Sequence, residues 1–350
     1  MYTPKFTITS EITNQIAEIE GIRTIVDQSN ILPEKEIALR YRATVEAIHS
    51  STTIEGNQLN KKQVEAVLAG KAVAQTEYAI TEVKNYKNAL DWLQIRKQNS
   101  KQISIEDILK IHELTMDGLL PKEKTGHLRP GEVYIVDIIN NDEQVRYHGP
   151  KSELLPDLLS DLCKWLEFEA SKLHPVLAAS ILHYEFVSIH PFSDGNGRVT
   201  RLLTMLYLSL RQYDFRGVLV PEIYYLDHRM QYYNALNQEN EYSKQRNANL
   251  TPWIEFFVKG FLTTTKHLKT EITIAQAVNP KNVTIRLSQE EIQLLDFVKQ
   301  MGSISLEETL EILQIPRRTA QRRLSELVDK GLLRLNSSGK NTNYIAHVHK

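Results

Sequence analysis

The twelve residues His190-Pro191-Phe192-Ser193-Asp194-Gly195-Asn196-Gly197-Arg198-Val199-Thr200-Arg201 concentrate reactive and anion-binding side chains in one short span. Gly195-Asn196-Gly197 lets successive backbone N–H groups turn into one concavity, a shape that suits phosphate. Arg198 and Arg201 are three residues apart, so on one helical turn both guanidiniums reach an anion at the helix end. A carboxylate among phosphate ligands makes sense where it shares Mg²⁺ with phosphate oxygens, which is one role for Asp194; the other is a helix N-cap. His190 is the side chain of the loop that accepts a proton efficiently near neutral pH, and it suits a general base acting on a hydroxyl that attacks phosphorus.

The neighbouring segments must aim these groups. From Arg198 onward Val199, Leu202, Leu203, Leu206 and Leu210 form a helical stripe, so the glycines stand at a helix N-terminus with open donors and positive partial charge. Residues 175–188 form a second helix, with Val176, Leu177, Ile181, Leu182, Phe186 and Val187, that runs directly into His190. Pro33 opens another helix in the position proline prefers, with Ile37, Tyr41, Val45 and Ile48 near one face. It leads to Ser51-Thr52-Thr53-Ile54-Glu55-Gly56-Asn57, where Ser51 and Glu55 share a face and Gly56 is a natural terminator.

The full pattern, His-x-Phe-x-Asp-Gly-Asn-Gly-Arg-x-x-Arg over residues 190–201, resembles the signature of the Fic (Fido) family, with every specified position filled. The resemblance implies transfer of AMP from ATP to a Ser, Thr or Tyr hydroxyl of a protein target or of the chain itself, with pyrophosphate leaving. It assigns His190 as base, Phe192 as the residue that packs the loop, and Asp194 as the Mg²⁺ ligand. Gly195, Asn196 and Gly197 would hold the α- and β-phosphates, and Arg198 the γ-phosphate. Ser51-x-x-x-Glu55-Gly56 resembles the family's inhibitory motif; Glu55 would pair with Arg201 and occupy the space of the γ-phosphate. Tyr232 and Asn240 are spaced as in the family's nucleoside pocket. Removal of AMP with Glu55 positioning water, transfer of another phosphate-bearing group, or a nucleotide-sensing transcription regulator are the competing readings.

Residues 16–25, 64–68, 76–93 and a segment ending near Met116 read as further helices, the last capped by Ser104. His112 lies on its apolar side, the position of a satisfied core histidine. Between Gly126 and Gly149 the helical period is lost; Val133, Ile135, Val145 and Tyr147 alternate around Asn140-Asn141-Asp142, a β-hairpin at about 131–148. In the family such a hairpin is the flap, which aligns the target segment by strand addition; Val133, Tyr134, Ile135 and Val136 are its candidate contacts. Helices over 151–170 and 251–268 complete the fold, with Cys163 buried in the first.

These signals give a mainly α fold: an N-terminal helical region over 1–100, a catalytic domain over 101–270, a linker over 271–286, and a small domain over 287–350. The last, with helices 288–300, 304–313 and 316–329 and a hairpin around Ser337-Ser338-Gly339-Lys340, resembles a winged helix-turn-helix module. Arg317, Arg318, Arg322 and Arg323 lie on its third helix, facing DNA or a protein partner. The formal net charge of −1 gives no global pull toward nucleic acid or membrane. A single cysteine excludes an internal disulfide framework, and without a long apolar run or a signal-peptide pattern the expected compartment is the cytoplasm. A homodimer is compatible with all of this.

Overall fold

In the computed structural model, residues 2–98, 100–139, 142–277, 287–336 and 343–346 are described. By proximity they fall into two units, one of residues 1–27 and 43–269 and one of residues 28–42 and 270–350. The segment with the Ser51–Gly56 motif and residues 190–201 fall in the same unit.

The first unit is helical because its apolar residues recur at helical spacing and its helix starts are chemically marked. It contains α1 (Ser10–Gln28), the later part of α2 (Pro33–Ile54), α3 (Lys61–Leu68), α4 (Glu77–Arg96), α5 (Ile105–Met116), α6 (Leu155–Phe168), α7 (Pro175–Ile189) and α8 (Asn196–Leu210). Short helices α9 (Glu222–Asp227), α10 (Arg229–Leu236) and α11 (Tyr242–Gln245) lead to α12 (Thr251–Ala277). Asn60 and Ser104 each close a reciprocal capping box, at α3 and α5. Helix α7 is apolar on all sides and almost wholly buried, as a helix at the centre of a bundle must be. Trp165, Trp253, Phe257, Phe261, Leu202 and Leu203 belong to the core around it.

The hairpin is an antiparallel pair, β1 (Tyr134–Ile139) and β2 (Asp142–His148), with an irregularity between Ile135 and Val136. Residues 140 and 141 of the expected turn lie outside the described residues. Cys163 is half-buried rather than buried, and its surroundings still push the thiol up to about 12 by desolvation.

The second unit holds α13 (Gln289–Met301), β3 (Ile304–Ser305), α14 (Leu306–Leu313), α15 (Arg317–Asp329), β4 (Leu333–Asn336) and β5 (Asn343–Ala346). Its core consists of Leu294, Leu295, Val298, Ile304, Leu313, Leu324, Leu327 and Leu333, with Ile37 of α2 packed against it. Two expectations change here. The helix expected from 304 begins at Leu306, because Ser305 caps it and Ile304 instead pairs with Tyr344, which makes the sheet three-stranded in the order β3-β5-β4. The linker expected from 271 is helical through Ala277, since α12 continues past the predicted end at 268; residues 278–286 and the tip at 337–340 lie outside the described residues. No helix among the described residues is long and apolar enough to cross a membrane.

Ser104 accepts from the Asp107 N–H at 3.3 Å while Asp107 accepts from the Ser104 N–H at 2.8 Å, and Asp107 is also gripped by the Arg96 guanidinium. Ser104→Ala removes one half of this box and should destabilise the first unit by about 1 kcal/mol, read as a shift of the urea midpoint at constant slope.

Candidate active site

Helix α7 ends by turning its last residue left-handed. His190 has φ 50 and ψ 58, a conformation rare outside glycine and asparagine, and its N–H still donates to Phe186 O. This turn lifts the imidazole off the helix axis, with Nδ1 3.1 Å from Val187 O. A carbonyl only accepts, so Nδ1 carries the proton and Nε2 is left as the free acceptor, the form a general base requires. Burial lowers the His190 pKa, partly opposed by the Val187 bond and by the charges of Glu55 and Asp194, while Arg129 lowers it further. The ring is therefore neutral at pH 7.

The loop that follows is closed on itself. Phe192 is fully buried and stacks on His112 with ring centroids 3.8 Å apart. Asn196 spends both ends of its amide on Phe192, accepting from its N–H at 2.9 Å and donating to its carbonyl at 2.8 Å. The side chain of Asn196 thus shapes the loop, and its backbone N–H is what it has left to offer an anion. Gly195, not Asp194, is the N-cap of α8, and no side chain caps it, so the first N–H groups of the helix face outward as an anion site. Asp194 lies beside this opening, half exposed, with Oδ1 on Gly195 N at 2.5 Å and 3.4 Å from Arg198. Its Oδ2 carries no hydrogen bond among the described residues. One outward carboxylate next to a phosphate site fits Mg²⁺ held jointly by a single acid and a substrate's phosphates; no cluster of three or more metal-ligating side chains exists among the described residues.

Two ion pairs with buried arginines flank the helix end. Arg201, 1% exposed, donates from Nε to Ser51 Oγ at 2.7 Å and from one terminal nitrogen to Ser51 O at 3.0 Å and Glu55 Oε1 at 2.7 Å. Glu55 follows the last residue of α2, and Gly56 turns the chain away with φ 102, open to glycine alone at low cost. Burial raises the Glu55 pKa, but the Arg201 charge and hydrogen bond outweigh it and hold the carboxyl below its ordinary value. The carboxylate rests against Gly197: a Cβ at that position would lie 2.3 Å from Glu55 Oε1. Arg198 is the second pair, bonded to Glu82 of α4 at 2.5 Å with both side chains almost inaccessible. Glu82 in turn accepts from Asn57 at 2.7 Å, which ties the residue after the Ser51–Gly56 motif to Arg198.

Sequence reasoning missed Glu82, Asn57 and Arg129. A glutamate within an amphipathic helix and an arginine between turns carry no local signal of burial. His112 is the satisfied core histidine expected, and its partners are specific: Nδ1 accepts from Gly126 N–H at 2.9 Å, so Nε2 donates to Asp194 O at 3.2 Å. Tyr232 is buried in the aromatic core, with its hydroxyl 2.9 Å from His183 Nε2 and its ring stacked on Tyr225. Asn240 is exposed, and its carbonyl accepts from His148 N–H at the end of β2. The half-buried Tyr233 reaches the end of α2, with its hydroxyl 3.4 Å from Ile54 O. In the hairpin, Tyr134 is exposed and stacks on His148 with centroids 4.5 Å apart, while Val133 and Ile135 are half-buried.

Residues 102–208 match the Fic/DOC family, and the chain carries a Fic/DOC domain there. The chain is 30% identical over 249 residues to the protein adenylyltransferase Fic of Drosophila erecta, covering 68% of this chain and 45% of that protein. It is 29% identical over 221 residues to the protein adenylyltransferase fic-1 of Caenorhabditis elegans, covering 61% and 38%. The match therefore spans less than half the length of these curated relatives. A crystal structure of a Fic family protein from Desulfovibrio desulfuricans G20 superposes with a TM-score of 0.64 at 27% identity, over 100% of both chains.

Three histidines of this region are held neutral. Burial takes His112 to about 4, His183 well below its ordinary value, and His190 down as well. In the unfolded chain each binds its proton near pH 6.5, so below that value the unfolded state takes up more protons than the folded one. Stability is therefore fully present above about pH 6.5 and falls as pH drops toward about 4. Urea unfolding at several pH values in that window should show the decline, with a shallower slope in His112→Gln.

Proposed function

We propose that this chain is a protein adenylyltransferase held inactive by Glu55. The observation that carries the reading is the Glu55 carboxylate lying against Gly197 at the uncapped start of α8, paired with Arg201. An acid parked at an anion site is a competitor for whatever anion belongs there.

When a nucleoside triphosphate displaces Glu55, the N–H groups at the start of α8 and the Arg201 guanidinium receive phosphate oxygens, and Arg198 meets them by loosening from Glu82. Asp194 would hold Mg²⁺, which supplies charge neutralisation to the polyphosphate. Nε2 of His190 takes the proton from a target hydroxyl; the oxygen attacks the α-phosphorus, the bond to the β-bridging oxygen breaks, and pyrophosphate leaves. The N–H groups of the helix start stabilise charge that develops in the transition state. The outer edge of β1 pairs with no strand among the described residues, whereas the foot of β2 is bridged by Asn240 and Glu241. That open edge supports the hairpin as the place where an extended target segment is added, with Val133, Tyr134, Ile135 and Val136 beside it. Tyr232 contributes to the wall behind a nucleoside, and Asn240 to its rim.

The second unit we read as a winged helix that recruits a protein partner. Arg317 pairs with Glu307, Arg322 with Glu326, and Arg323 with Glu290 and Glu326. Arg323 is held by two carboxylates, whereas the exposed pairs of Arg317 and Arg322 are weak.

With α-labelled ATP, Glu55→Gly should raise labelling of the chain or of proteins in a lysate, and adding His190→Ala should lower it about 10²–10⁴-fold, the usual range for a general base. Equal labelling by all forms would reject the reading. Loss rather than gain of label from a modified protein would favour the reverse reaction.

A further inference from the structure

Arg129 has no role in the reading above, yet it is 3% exposed and its hydrogen bonds all go to main-chain carbonyls. Its Nε donates to His190 O at 2.8 Å, one terminal nitrogen to Gly131 O, and the other to Pro150 O at 2.5 Å. Its own N–H donates to Pro191 O at 3.0 Å. Burying a guanidinium without an acid partner is costly, so an arrangement selected for stability alone would use apolar side chains here. What the fork does achieve is geometric. Gly131 and Pro150 stand at the two feet of the β1–β2 hairpin, and His190 and Pro191 open the catalytic loop.

A companion tie lies beside it. Tyr147, on the last turn of β2, is buried and donates its hydroxyl to Ser188 O at 2.6 Å, two residues before His190. The hairpin feet are therefore bolted to the end of α7 at two carbonyls, one of them that of the base itself. Arg129 holds the His190 carbonyl and Val187 O holds its ring, so both ends of this left-handed residue are fixed by the fold.

We propose that Arg129, with Tyr147 as its companion, is a positioning residue that fixes the distance between an acceptor strand held on β1 and the Nε2 of His190. This rests on the adenylyltransferase reading and names the part that aligns its protein substrate. Arg129 touches no reacting atom; it acts through the carbonyl of His190 and the feet of the hairpin. Reaction needs the acceptor oxygen near 3 Å from the base, and a misplacement of about 1 Å costs about 10²-fold in rate.

The test uses the full chain in a Glu55→Gly background with Arg129→Lys, which keeps the charge and loses the fork, and with Tyr147→Phe, which keeps the ring and loses the hydroxyl. MgATP affinity is measured by titration calorimetry, transfer by labelling from α-labelled ATP, and hairpin order by amide exchange over 131–135 and 145–149. The expected result for Arg129→Lys is unchanged MgATP affinity, labelling about 10²-fold lower, and faster exchange confined to the two feet; Tyr147→Phe shows the same split to a smaller degree. Parental labelling, or a fall in labelling matched by an equal fall in MgATP affinity, overturns the proposal. If Arg129→Lys does not fold, Tyr147→Phe decides, and parental labelling by it has the same meaning. If Glu55→Gly itself transfers no label, the adenylyltransferase reading fails instead, and parental exchange at the hairpin feet still overturns the tie.

Discussion

A guanidinium that is 1% exposed must be answered by an acid or by several carbonyls, and Arg201 is answered by Ser51 and Glu55. That requirement fixes where α2 ends, because Ser51 and Glu55 must meet the same side chain from consecutive turns. It fixes the start of α8, because the arginine lies one turn inside it. It also explains why the segment bearing Glu55 belongs to the same unit as the catalytic loop although some 140 residues separate them in sequence. The arrangement is poor evidence of stability, since a buried pair of this kind is often no better than apolar packing. Its value is that one of its members has an exit: the Glu55 side chain is 29% exposed where Arg201 is sealed.

Much of the site was legible in the sequence because its residues are contiguous and chemically dense. Residues 190–201 mark a loop, a helix start and a proton-accepting side chain without reference to anything distant. Ser51 and Glu55 were legible as a pair on one face, and Pro33 and Ser104 marked helix starts that α2 and α5 observe. What was not legible depends on approach in space. Glu82 has the same local pattern as any glutamate on an amphipathic helix, and nothing near it indicates that Arg198 arrives from 116 residues away. Tyr232 illustrates the reverse: an aromatic that suits a purine suits a core equally well, and His183 gives its hydroxyl a partner inside the core.

The fold followed a similar division. Helical periodicity placed most helices to within a few residues, while the strand β3 was invisible, being two residues whose pairing partner Tyr344 lies forty positions on. The end of α12 was misjudged because turn-forming residues at 279–282 suggested an earlier break than the backbone makes. Buried histidines add a further layer that sequence cannot supply. Each of His112, His183 and His190 has its tautomer fixed by a carbonyl, an N–H or a hydroxyl contributed by the fold, and in His190 that choice leaves the nitrogen facing the loop free.

The contact between Glu55 and Gly197 limits how this machine can be retuned. If Glu55 is the restraint proposed above, any side chain at position 197 large enough to evict its carboxylate would also fill the volume that an incoming anion must enter. On that reading Gly197 must serve two mutually exclusive guests, the Glu55 carboxylate and the anion. On the reading proposed above, a single step at residue 55 removes the restraint, whereas a bulkier residue 197 takes the place of the anion itself.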